Sequence, residues 1–211
     1  MSDENSFNRK RIVILHGVGM HGVFMFPMKW RLEGIGYSAT CISYNTSKLN
    51  KERLFSLLDK EIELYGSVVL VGHSFGGIMS AQYIEERQHG VDDVSHLIML
   101  GCPINGSELA FKCMELGLGW LLGDSYSNGL TPTNKVLDIQ QPICSIAGTV
   151  KFGLRPLFLP SGDESDGTVS VTETRLDNLT EHHLITASHS SMIYQKRTID
   201  LIHNFVAKRD H

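Results

Sequence analysis

Apolar and polar positions alternate along this chain in two rhythms. Six short apolar runs rich in β-branched residues, Arg11–Leu15, Tyr37–Tyr44, Ser67–Gly72, His96–Gly101, Pro142–Ala147 and His183–Ala187, each read as a strand buried on both faces. Between them apolar residues take helical spacing over Phe24–Glu33, Lys51–Tyr65, Gly76–Arg87 and Ser191–Lys208. Strand alternating with helix predicts right-handed crossovers and an α/β fold, a mostly parallel six-stranded sheet with helices on both faces. Ile104–Lys135 departs from this rhythm, because its apolar residues are interrupted by Gly117, Gly119 and Gly123 and form no obvious strand. It reads as a small helical lid over one end of the sheet.

The 211 residues, 42% of them hydrophobic, suit a single domain over 1–211 with a full-sized core. A net charge of -4 without a long basic run lacks the footprint of a nucleic-acid binder. The one dense basic cluster, Arg9, Lys10 and Arg11, flanks a strand and reads as its solvated entrance. Met1–Asn8 is polar and acidic, unlike a signal peptide, and no apolar run reaches the ~18 residues of a membrane span. The expectation is a cytoplasmic chain without stable membrane insertion. Cys41, Cys102, Cys113 and Cys144 lie in apolar surroundings without a C-x-x-C pair or metal-ligand spacing, so buried free thiols are expected.

Candidate chemistry centres on Gly72-His73-Ser74-Phe75-Gly76. A Gly-x-Ser-x-Gly pentapeptide alone is weak evidence in a chain so rich in Gly and Ser. Here it follows the apolar strand Val68–Val71 and opens a helix, the strand-turn-helix setting of a nucleophile elbow. A Cβ at Gly72 or Gly76 would crowd that turn, and strain there lifts the Ser74 hydroxyl above the carboxyl end of the sheet. A serine hydroxyl needs a base, and the base an orienting acid. His189 follows the sixth strand and Asp166 lies in the loop after the fifth, on the same side as the elbow. His182 and His183 compete for the base role but start the sixth strand, at the opposite end; Asp163 rivals Asp166, which is favoured by the turn-permitting Gly167 after it. The N–H groups of Phe75 and Val18 are the candidate oxyanion donors.

The spacing Gly17-x-Gly19-x-x-Gly22 also fits a dinucleotide loop, but the second strand ends in Ser43-Tyr44-Asn45, without the acidic residue that reading needs. His16 and His21 lack a third metal ligand at useful spacing, which leaves them a loop-orienting role.

With these residues in place the chain resembles compact bacterial lipases and esterases of the α/β-hydrolase superfamily, including the group similar to GPI-inositol-deacylase-like lipases. The resemblance covers nearly the whole chain. It is carried by Leu15-His16-Gly17, Gly72–Gly77, Leu100–Ser107, Asp166-Gly167-Thr168-Val169 and Ser188-His189-Ser190-Ser191-Met192. It implies Ser74 as nucleophile, His189 as base, Asp166 as orienting acid, and Val18 and Phe75 as oxyanion hole. The group's Leu-Gly-Thr-Pro-His stretch stands here as Leu100-Gly101-Cys102-Pro103-Ile104, so any polar task of that Thr and His is absent. The first strand corresponds to the third of the group's full sheet, which implies a minimal six-stranded core without a large cap.

The expected activity is hydrolysis of a small acyl ester through an acyl-enzyme, with no cofactor or metal. Met20, Trp120 and Leu121 are candidate substrate contacts; for Trp120, packing on the core is an equal alternative. A thioesterase or amidase would use the same triad, and a non-catalytic binding module would keep only its shell.

Overall fold

A computed structural model describes residues 9–133, 136–159 and 162–208. The acidic start Met1–Asn8 and the last two positions of the lid stretch lie outside the described residues.

Six strands form one sheet: β1 (Arg11–Leu15), β2 (Ser38–Ile42), β3 (Val68–His73), β4 (Val94–Leu100), β5 (Ile143–Gly148) and β6 (Glu181–Ile185). Their order is β2-β1-β3-β4-β5-β6, and every pairing is parallel. Parallel strands need crossovers, and those helices bury the sheet from both sides. On one face Val13, Leu15, Leu70 and Met99 pack under α2 (Lys51–Tyr65) and α3 (Phe75–Arg87) through Leu54, Leu58, Ile78 and Met79. On the other, Ile12, Ile14, Val71 and Ile98 meet α1 (Phe26–Gly34) and α6 (Lys196–Ala207) through Met28, Leu32, Ile199 and Ile202. Odd and even positions of one strand thus serve two cores, which is why the runs read as continuously apolar.

The chain leaves β1 toward β2 on one side, whereas β3 returns to the other side of β1. The crevice between the carboxyl ends of β1 and β3 is therefore a topological switch point, where open α/β sheets place their ligands. Leu15 pairs with Gly72 there, so the loop after β1 and the turn after β3 start side by side.

The predicted elements differ from the observed ones mainly at their ends. β6 begins at Glu181, two residues before the apolar run starts. The last helix starts late: Ser191–Tyr194 is a 3₁₀ turn, Gln195 is extended, and Thr198 Oγ1 donates to the Met192 carbonyl at 2.7 Å. The lid stretch holds α4 (Glu108–Glu115), capped by Ser107, then 3₁₀ turns at Gly119–Leu121 and Gly123–Ser125 and a wide turn at Tyr126–Leu130. It contains no strand among the described residues. The four-residue helix α5 (Arg155–Phe158) is too short for a periodic pattern to reveal. Cys102, Cys113 and Cys144 are buried, as expected, but Cys41 is half-buried. No described helix is long and apolar enough to cross a membrane.

Because α6 closes one face of the sheet through fully buried Ile202, Ile202→Ala is expected to cost about 2–5 kcal/mol of unfolding free energy. Urea unfolding measures it, and a loss below about 1 kcal/mol would mean that α6 is not part of this core.

Candidate active site

The elbow is built by close approach of backbone. A Cβ on Gly72 would overlap the backbone of Gly76 and Gly77, and one on Gly76 would stand 2.5 Å from the Leu15 carbonyl oxygen. Nothing larger than glycine fits where α3 enters against β3 and β1. Between these glycines Ser74 takes φ 55° and ψ -124°, a conformation that non-glycine residues avoid. Its N–H bonds the Leu100 carbonyl at 2.8 Å, which ties the strained residue to the end of β4. Ser74 stays half-buried while both neighbours are buried.

The acid loop converges on the same place. Asp166 is 1% exposed, and its Oδ1 accepts from the N–H groups of Thr168 (2.9 Å) and Val169 (2.7 Å). Its Oδ2 lies 2.7 Å from His189 Nδ1, and the His189 N–H donates to the Asp166 carbonyl at 2.8 Å. A carboxylate only accepts, so Nδ1 carries the proton, and in the neutral ring the lone pair falls on Nε2. Gly167 takes φ +93° against the backbone of Phe152, space that a side chain would fill. Behind the loop, buried Arg155 bridges Glu173 and Glu108, and Glu173 accepts from the Ser170 N–H. Burial pushes the Glu173 carboxyl above its ordinary range, against the opposing pull of its hydrogen bonds and Arg155. Acid loop and α4 are thereby held by one polar cluster.

The elbow and the acid–histidine pair meet through their neighbours. A Cβ on Gly101, the residue after the Ser74 partner Leu100, would stand 2.9 Å from Asp166 Oδ2 and 3.1 Å from His189 Nδ1. The His73 and His189 ring centroids are 4.7 Å apart. His73 Nε2 donates to the His189 carbonyl at 2.9 Å, while its Nδ1 is buried without a partner among the described residues. Burial, followed by the neighbouring His189, pushes the His73 pKa down to about 3. The motif contains His73, but only the fold shows it bracing the histidine loop.

In the loop after β1, His16 is stacked on Tyr44 with ring centroids 4.5 Å apart. Its Nε2 accepts the Tyr44 N–H at 3.2 Å, so Nδ1 donates to the Gly17 carbonyl at 2.9 Å. Burial lowers its pKa, and neutral His16 orients the loop that carries Val18. Phe75 is the first residue of α3, where N–H groups have no intrahelical acceptor.

The remaining candidates fall elsewhere. Asp163 is exposed. His182 bonds Thr174 Oγ1 and His183 bonds Glu181, both near the start of β6. Met20 is half-buried and lines a cleft beside the loop after β1. Trp120 and Leu121 share one 3₁₀ turn and are 74% and 48% exposed, so Trp120 is turned outward and not packed into the core.

The depressed His73 pKa carries a stability consequence. Between pH 6.5 and about 3 the unfolded chain protonates this histidine and the folded chain does not, so stability is full above 6.5 and lost as pH falls. The expected slope from this group is up to about 1.4 kcal/mol per pH unit. His73→Gln should flatten that limb in urea unfolding at pH 7, 6 and 5; an unchanged slope would contradict a buried neutral His73.

Residues 37–153 match the PGAP1-like alpha/beta domain. Among solved structures the chain is similar to Bacillus licheniformis lipase BlEst2 in its mature form, at 22% identity over 94% of this chain and 92% of that one, with a TM-score of 0.73. It is also similar to tomato methylketone synthase I complexed with 2-tridecanone, at 12% identity over 95% of this chain and 98% of that one, with a TM-score of 0.62. Over an alignment of 98 positions it is 34% identical to norfluorocurarine synthase 1 of Strychnos nux-vomica, covering 40% of this chain and 36% of the relative. The chain thus spans just over a third of the length of that curated relative. The shared domain extends over more than half of the chain, the sheet is that of the α/β hydrolases, and the protein belongs to the PGAP1-like alpha/beta domain family.

Proposed function

We propose that the protein is a serine hydrolase of carboxylic esters with Ser74, His189 and Asp166 as its triad. The observation that carries this reading is the 2.7 Å bond from His189 Nδ1 to buried Asp166 beside a serine held in a strained elbow. The likeness in fold to a lipase supports it.

In this mechanism Nε2 of His189 takes the Ser74 proton as Oγ attacks the ester carbonyl. The new C–O bond places negative charge on the carbonyl oxygen, and the N–H groups of Val18 and Phe75 stabilise it. Asp166 stays ionised and stabilises the imidazolium, which then protonates the departing alcohol as the acyl C–O bond breaks. Water, deprotonated by the same histidine, releases the acid and regenerates Ser74. His73 positions the base by anchoring its backbone. Being neutral, it adds no second positive charge when His189 becomes protonated.

Ser74→Ala is expected to fold, to lose fluorophosphonate labelling and to lose turnover of short p-nitrophenyl esters. His189→Ala should lower kcat by about three orders of magnitude or more, since nucleophile and base act as a unit. Full activity in Ser74→Ala would exclude the assignment.

A further inference from the structure

Beside the candidate site lies a cleft of about 690 Å³, a size suited to a small ligand. Gly19, Met20 and His21 of the loop after β1 form its near wall, and residues 43–48, Asn50, Arg53, Leu54 and Leu57 form the far wall. This wall begins close to the proposed nucleophile: a Cβ on Gly17 would stand 2.9 Å from the Ser74 Cβ, and Gly19 is two residues further along. Two residues span at most about 7 Å, so this near wall of the cleft starts within that reach of Gly17.

The charge in this cleft is one-sided. Lys48 and Arg53 line it, and no Asp or Glu does, although acids outnumber Lys and Arg 23 to 19 in the chain. Neighbouring cations are already engaged, Lys51 with Glu86 and Arg87 with Glu52. The Asp124 carboxylate, outside the lining, accepts the Leu49 N–H at 2.9 Å. The side chains of Lys48 and Arg53 make no hydrogen bond or ion pair among the described residues. The walls add apolar surface from Met20, Leu54 and Leu57 and amide groups from Asn45 and Asn50, which suits an occupant with an apolar body and a charged end.

We infer that this cleft is a subsite for an anionic group carried by the ester substrate, held by Lys48 and Arg53 beside the loop that approaches Ser74. The inference rests on the proposed ester hydrolysis at Ser74 and names the substrate class for that site. Phosphate and carboxylate share the required chemistry.

The test compares kcat/KM of the full chain on 4-acetoxyphenyl phosphate, 4-acetoxybenzoate and neutral 4-acetoxybenzamide. In the wild-type chain the anionic esters should exceed the neutral one. The anionic-to-neutral ratio should fall roughly five- to tenfold in the Lys48→Ala/Arg53→Ala variant, and invert in Lys48→Glu/Arg53→Glu. Preference for the phosphate ester over the carboxylate assigns a phosphate-bearing ester, whereas equal rates assign an anion of either kind. A ratio unmoved by charge reversal overturns the subsite. Calorimetry of phenyl phosphate binding to the Ser74→Ala chain, with and without the Lys48→Ala/Arg53→Ala pair, reads the cleft without turnover. Binding that is absent, or indifferent to those cations, also overturns it. Failure of fluorophosphonate labelling would instead count against Ser74 alone.

Discussion

The first turn of α3 runs so close to β3 and to the end of β1 that no side chain can stand at Gly72 or Gly76. That steric constraint sets the rest of the site. It forces Ser74 into a positive φ, places Phe75 at the first position of a helix and brings the loop after β1 against the serine. The helix can come so near only because both faces of the parallel sheet are covered by apolar residues, which press α2 and α3 on one side and α1 and α6 on the other. Local strain at one residue is thus sustained by burial spread over two cores.

Around that point the polar groups are arranged by desolvation as much as by attraction. Asp166 is nearly inaccessible, yet each carboxylate oxygen has donors, so its charge is compensated in place. His73 and His16 are kept neutral by burial and act as hydrogen-bonding struts, one for the histidine loop and one for the loop after β1. Arg155, Glu173 and Glu108 form a third strut that joins the acid loop to α4. On the open side Lys48 and Arg53 are left facing a cleft without a carboxylate on its walls. The same protein therefore offers a compensated interior and a cleft lined by two cations.

The apolar periodicity contained the sheet, its helices and their order, because strands buried on both faces and helices covering them impose distinct spacings. The elbow was legible for a similar reason: Gly72 and Gly76 answer to local sterics, which sequence expresses directly. Asp166 and His189 were recognisable by type and order, since the loops after β5 and β6 leave the sheet at the same end as Ser74. Roles that depend on long-range packing were not. Nothing local shows that His73 braces a residue 116 positions away, that Trp120 points outward, or that Arg155 sits buried between two glutamates. The two-residue shift of β6 and the late start of α6 have the same origin, because strand pairing and a Thr198 side-chain bond set those ends rather than propensity.

By itself, then, the sequence determined the α/β architecture, the strained serine turn and the residue types available as base and acid. Those features follow from periodicity and backbone sterics acting over a few residues. Only the tertiary structure decided that Asp166 rather than Asp163 meets His189, which histidines are buried and neutral, and that Lys48 and Arg53 share a cleft with the loop after β1. Distance and desolvation are properties of groups brought together from remote parts of the chain, and no local pattern encodes them.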